Sequence, residues 1–95
     1  MFIILLTYTK PLDEVDRHLT AHKAWVKQGF EEGVLILSGG QRPRTGGALL
    51  ALGDNRSAIQ ARVDQDPFIL AGVATAMVIE VVPSTLHDRL DWLKL

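Results

Sequence analysis

Two stretches far apart in the chain, residues 2–9 and 73–82, are apolar at odd and even positions alike. Successive side chains of a strand point to opposite faces of its sheet. An antiparallel sheet with one wet face therefore alternates apolar and polar residues. Here Phe2, Ile4 and Leu6 oppose Ile3 and Leu5, and both sets are apolar. Further on, Val73, Met77, Ile79 and Val81 oppose Ala74, Ala76, Val78 and Val82. A sheet built on these strands needs cover on both faces.

The elements between them set the topology. Residues 2–9 form the first strand, stopped by Lys10-Pro11. A helix begins at Pro11–Asp13, with Asp13 as N-cap and Glu14 and Asp16 in its first turn, where negative charge suits the helix dipole. It runs to about Glu32, and Gly33 provides its C-terminal stop. Val34–Ser38 is a second strand, residues 39–47 a glycine-flanked loop, and Ala48–Leu52 a third strand completing a hairpin. After a turn at Gly53-Asp54-Asn55, a second helix covers 56–65, with Ile59 and Val63 on one face. Asp66-Pro67 ends it, because a residue before proline is pushed out of the helical region. Residues 73–82 are the last strand, stopped by Pro83-Ser84, and a short tail helix follows through Trp92.

The order is β-α-β-β-α-β, a ferredoxin-like α+β fold with a four-stranded antiparallel sheet and two helices on one face. Its 95 residues suit a single domain, with a core over 1–83 and a C-terminal tail over 84–95. Two helices cover only one face, so the other is expected to pack against a second copy, sheet to sheet, as a two-fold homodimer. The alternative is that the tail helix folds back over it.

Ten basic residues nearly balance eleven acidic ones, so no basic field is present to hold nucleic acid. The absence of cysteine removes disulfides, thiolate catalysis and cysteine metal sites, and fits a reducing cytoplasm. The apolar start, Met1–Leu6, lacks a charged leader and turns polar by Thr7, which reads as a strand and not a signal peptide or membrane span.

Within the first helix, Val15, Leu19, Val26 and Phe30 project onto one stripe, and His22 falls at its centre. A buried imidazole must find a polar partner or suffer desolvation. It is either a core histidine satisfied by a backbone carbonyl or a functional group beside a pocket.

Several segments taken together resemble the YCII-related family. They are the first strand ending in Tyr8-Thr9, the helix carrying His22 and Trp25, and the stretch Gly33-Val34-Leu35-Ile36-Leu37-Ser38-Gly39-Gly40 followed by Pro43-Arg44-Thr45-Gly46-Gly47. Asp66-Pro67-Phe68 with Ala71-Gly72 completes the set, so the likeness spans residues 1–83. The resemblance implies a dimeric α/β barrel with a pocket between helices and sheet. It also implies a His–Asp pair as proposed catalytic centre, carried here by His22 and Asp66, with Ser38 at the pocket edge. One branch of the family is associated with eliminating chloride from chlorinated, hydroxylated aromatics, and most members have no assigned reaction. This chain departs from the commonest pattern at Gly40, where many members carry proline.

In this topology both helices lie on one sheet face, so His22 and Asp66 can meet. A neighbouring carboxylate fixes an imidazole's tautomer and makes it a better base. Asp66 can equally be a helix-end or Asx-turn carboxylate before proline, and the two roles are compatible. His18, four residues before His22, would sit at a metal-ligand spacing, yet no Glu-x-x-His frame supports a metal, and it reads as a surface or pocket-rim residue. Ser38 precedes Gly39 and Gly40, whose amides could form an oxyanion hole, but no Gly-x-Ser-x-Gly elbow is present. A strand-end serine bonding the turn, or a hydroxyl that orients a ligand, are the other readings. Arg42 and Arg44 in the loop could receive an anionic group or simply be solvated. Trp25, Phe68 and Tyr8 could line a pocket for an aromatic ligand or serve as packing.

The expected function is a small cofactor-free enzyme. His22, oriented by Asp66, would act as general acid or base on an enolisable or hydroxylated ring compound, aromatic or chlorinated, by elimination or isomerisation (a lyase or isomerase). The alternative is a non-catalytic small-molecule-binding or accessory interaction module. A haem-degrading or quinol-oxidising monooxygenase is a third reading, by fold analogy alone.

Overall fold

A computed structural model of the chain describes residues 1–93. Four strands, β1 (Phe2–Tyr8), β2 (Leu35–Gly40), β3 (Gly46–Ala51) and β4 (Ala74–Glu80), form one antiparallel sheet in the order β2-β3-β1-β4. That is the ferredoxin-like arrangement expected. Register pairs Ile4 with Leu49 and Val78, so Phe2, Ile4, Leu6, Leu49, Ala51, Ala74 and Val78 form the buried face. Val15, Ile59, Val63 and Phe68 pack down onto it from the helices.

The first helical region departs from expectation. It is two helices, α1 (Leu12–Asp16) and α2 (Leu19–Glu31), interrupted at Arg17-His18. At the break the amides of Arg17 and His18 reach back only three residues, to Glu14 and Val15, and His18 takes φ −108°, ψ 4°. Pro11, not Asp13, precedes the first turn, and no side chain caps it. Phe30, expected on the inner stripe, is exposed, and Gly29 is buried in its place, because at about 3.6 residues per turn the position seven residues after His22 lies closer to its face than the position eight after. A Cβ on Gly29 would meet Leu35 Cδ1 at 2.5 Å, so the missing side chain is what lets α2 approach β2 closely. Gly33 ends the helical region with φ +73°, a left-handed value that glycine adopts without penalty.

The second helix, α3 (Arg56–Asp64), is capped by Asn55, whose side chain accepts from the Ala58 amide. The helix stops before Asp66-Pro67 as expected, and Asp66 takes an extended ψ of 126°, as a residue before proline must. Pro67 then opens a one-turn helix, α4 (Pro67–Leu70), which the sequence pattern did not predict. Asp66 caps that turn by accepting from the Phe68 amide at 3.0 Å.

β2 runs on through Gly39 and Gly40, which pair with Ala48 and Gly47, so these glycines are strand residues and not part of a loop. Gly46 sits where β1 and β3 come closest. A Cβ there would overlap the Leu6 carbonyl oxygen, a backbone atom held in the ladder. Gly46→Ala is therefore expected to lower stability by about 2–3 kcal/mol, the upper part of the range for overpacking. Gly39→Ala, which meets nothing within 4 Å, should change it by less than about 0.5 kcal/mol. Urea unfolding midpoints of the two variants check the pair.

The opposite sheet face is apolar as well. Leu37, Leu50, Ile3 and Ile79 share one row, and Gly39, Ala48, Leu5 and Met77 the next. Met77 is 61% exposed, and Leu37 and Ile79 are also exposed. The tail forms a 3₁₀ helix, Asp88–Leu93, not an α-helix, and the end of the tail helix expected over 84–95 lies outside the described residues. Leu90 and Trp92 share a hollow with Leu37 and Leu50, so the tail reaches one corner of this face and leaves Met77 open.

Candidate active site

α2, α4 and the strand edge enclose the site. His22, on the inner side of α2, points its Nδ1 at Asp66 Oδ1, 2.7 Å away. The same oxygen accepts the Phe68 amide. Asp66 is fully buried and His22 retains 12% side-chain exposure. An oxygen that receives a backbone N–H is acting as an acceptor, so the network assigns the imidazole proton to Nδ1. The neutral ring then carries its lone pair on Nε2. That nitrogen makes no hydrogen bond to the described residues and is not among the atoms sealed from solvent. His22 lines a cavity of about 550 Å³.

The ring is held in two further ways. Phe68 stacks on it face to face, with centroids 4.0 Å apart and planes 8° from parallel. Tyr8 meets Phe68 edge-on at 5.8 Å. An imidazole clamped by a stack and a charge-assisted bond has little rotational freedom left to lose when a ligand binds. Asp66 itself does not line the cavity, and its Oδ2 is buried without a hydrogen-bond partner among the described residues. Its influence on any ligand passes through His22.

The cavity brings together Tyr8, His22, Ser38, Gly39, Arg44 and Phe68, with Leu6, Leu19 and Val26 supplying apolar wall. Ser38 lies inside a strand opposite Leu49, not at a strand end, and its hydroxyl makes no hydrogen bond among the described residues. Trp25 is not part of the cavity. Its indole N–H donates to the Arg62 carbonyl at 3.2 Å, and the ring borders a separate depression between α2 and α3. It touches the site only as a neighbour of the His22 ring, centroids 5.9 Å apart. His18 lies outside as well, at the break before α2, where its carbonyl accepts the His22 amide. Among the described residues, no three His, Cys, Asp or Glu side chains are grouped to hold a metal ion.

Two charged cavity residues escaped the sequence reading. Asp16, taken there as a first-turn helix acid, ends α1 and reaches across the cavity to Arg44 in the β2–β3 loop. Lys23 follows His22 and lines the same cavity. Periodicity places Asp16 and Lys23 beside the stripe, but only the tertiary fold brings Asp16 to Arg44, 28 residues away in the chain. The Arg44 guanidinium beside Asp16 holds its carboxyl below the usual carboxylate range, chiefly through the direct hydrogen bond, and Asp16 in turn raises Arg44. The folded-state value is depressed, so the bridge is fully present above the ordinary carboxylate range and is lost only as pH falls through that lowered value.

Comparison with known proteins agrees with this architecture. The YCII-related domain profile matches residues 1–83, and the chain belongs to that family. A solved structure of 5-chloro-2-hydroxyhydroquinone dehydrochlorinase (TftG) from Burkholderia phenoliruptrix AC1100, in complex with 2,5-dihydroxybenzoquinone, superposes with a TM-score of 0.70. It is 18% identical in sequence, and the match covers 86% of this chain and 94% of that one. No curated protein matches in sequence.

Proposed function

We propose that this YCII-related chain is a small enzyme in which His22, positioned by Asp66, transfers a proton in the elimination of a leaving group from a small ring compound. The observation that carries the proposal is the division of labour on one imidazole. Nδ1 is anchored to a buried carboxylate, and Nε2 is left unbonded beside a cavity. A general base needs a fixed tautomer and an open nitrogen, and acid–base help of this kind contributes about 10²–10⁴ in rate. The fold shared with a dehydrochlorinase that binds a dihydroxybenzoquinone supports elimination over other proton transfers. In such a step Nε2 would take a proton from a ring hydroxyl or C–H. The electron pair left behind forms the new π bond, chloride departs, and the imidazolium returns its proton to water. Proton and leaving group balance the reaction, and no electron acceptor is consumed. Tyr8 and Phe68 would hold the ring, with Ser38 and Gly39 at the edge.

The experiment is chloride release by the purified protein from a panel of chlorinated hydroquinols and lactones. Turnover that disappears in His22→Asn supports the reading. A ligand that binds beside His22 and is returned unchanged across the panel would favour the binding-module alternative.

We also propose that the exposed apolar sheet face packs against a second copy. Two adjacent rows of uncovered Leu, Ile, Met and Ala are too apolar to suit a solvated surface. Met77→Lys, at the most exposed apolar residue of that face, is expected to weaken self-association at least about 100-fold, because it would bury an unpaired charge between the two copies. Sedimentation equilibrium should show a dimer for the native chain and a monomer for the variant. A native chain that stays monomeric at high concentration overturns this.

A further inference from the structure

We propose that the ligand of this cavity is a small planar organic anion, and that Asp16 is an internal stand-in holding Arg44 until the ligand's own carboxylate or phenolate displaces it. The inference rests on the reading of the cavity as a ligand site and adds the charge and orientation of the occupant.

Three observations converge on it. The first is the Asp16–Arg44 bridge. Both arginine terminal nitrogens engage the carboxylate, Nη2 on Oδ1 and Nη1 at 3.4 Å from Oδ2. A guanidinium gripping a carboxylate by two prongs already has the geometry a planar oxyanion requires. Both side chains are nearly half exposed, at 43% and 47%. Bridges this exposed are weakly held, so a competing anion can replace one partner. Both residues line the cavity, which puts the exchange at its wall and not on remote surface.

The second is an aromatic strip. The Arg44 guanidinium stands 5.9 Å from the Tyr8 ring centroid, Tyr8 meets Phe68 edge-on, and Phe68 stacks on His22. The strip therefore carries a guanidinium at one end and the imidazole at the other. A ring laid along it would present its anionic substituent to Arg44 and its reacting atom to Nε2.

The third is the charge that remains. Lys23 lines the cavity and enters no ion pair among the described residues. With Asp16 paired to Arg44, Lys23 is the cavity-lining charge left without an ion-pair partner among the described residues, in a wall that also holds Leu6 and Leu19. An uncharged ligand would have no use for it.

The test is a titration of the ¹⁵N-labelled chain, followed by backbone amide shifts around His22 and Gly39, with two matched probe pairs. The pairs are benzoate against benzamide, and 4-nitrophenolate against nitrobenzene, which separate carboxylate from phenolate. At least one anion is expected to bind about tenfold tighter than its neutral partner, the scale of one charge-assisted contact. Added salt should erode that preference. Arg44→Gln should abolish it, and backbone amide shifts unchanged away from the cavity show that the variant is folded. Lys23→Gln should reduce it. Asp16→Asn should strengthen anion binding severalfold, because the competitor is gone, and a purely structural role for Asp16 would not do this. Equal affinity for charged and neutral probes, or weaker anion binding in Asp16→Asn, overturns the inference and leaves the acid–base reading standing. No shifts near His22 with any of the four probes overturns both.

Discussion

His22→Ala should lower turnover by about 10²–10⁴, the full contribution of a positioned acid–base group, and leave a folded protein. The fold survives because the core is built elsewhere, on Phe2, Ile4, Leu6, Leu49 and Val63. Some stability is still lost. Asp66 Oδ1 keeps the Phe68 amide as its only donor, and Oδ2 is already without one, so a buried carboxylate is left half satisfied. The expected cost is about 1–3 kcal/mol, tolerable for a domain whose total stability lies in the usual range of about 5–15 kcal/mol. The phenylalanine stack at 4.0 Å is lost as well, which lets Phe68 relax toward the vacated space. Steady-state kinetics and a thermal melt, taken on the same preparation, separate the two effects. Undiminished turnover in a folded variant contradicts the proposed mechanism.

Substitution of Asp66 should split chemistry from stability in a different way. In Asp66→Asn the amide has two possible orientations. Turning its nitrogen toward the Phe68 amide would oppose two donors, so the amide oxygen is expected to occupy the Oδ1 position. That orientation still accepts the His22 Nδ1 proton, and the tautomer is kept. What goes is the negative charge that steadies the imidazolium formed during proton transfer. A loss of about 10–100-fold in kcat is expected, part of the whole acid–base contribution. The new NH₂ falls where Oδ2 has no partner, which costs about 1–3 kcal/mol for a buried unsatisfied donor. Asp66→Ala removes cap and charge together. Its turnover should fall toward that of the His22 variant, and the α4 turn should lose about 1 kcal/mol of capping besides. If Asn and Ala reduce kcat equally, charge is not what Asp66 supplies.

Much of this arrangement was legible in the residues. The two strands apolar on both alternations predicted a sheet needing cover on each side, and the punctuation by Gly33, Gly53 and Asp66-Pro67 marked the element order. His22 at the centre of an apolar stripe was visible as a candidate, the resemblance to the YCII-related family implied Asp66 as its partner, and the two do meet. What stayed hidden has physical causes. The stripe Val15, Leu19, His22, Val26 keeps its spacing straight across the Arg17-His18 break, so periodicity could not reveal that the helix is interrupted there. A four-residue helix after Pro67 is too short to show any period. Trp25 sits on the helix turn nearest α3, and its indole bonds a carbonyl there, a choice set by helix–helix packing. The Asp16–Arg44 bridge joins two segments with no local relation, and each residue taken alone looks like ordinary solvated charge.

The proposed chemistry depends on where one proton of His22 sits. Long-range ¹H–¹⁵N spectra of the imidazole, recorded in mildly alkaline buffer, read it directly and need no substrate. The expected spectrum shows a protonated Nδ1 that exchanges slowly with water because it is bonded to buried Asp66. It also shows a bare, pyridine-type Nε2 whose resonance moves when a cavity ligand is added. A protonated Nε2 in the neutral ring, or an Nε2 signal indifferent to every ligand that enters the cavity, would contradict that chemistry.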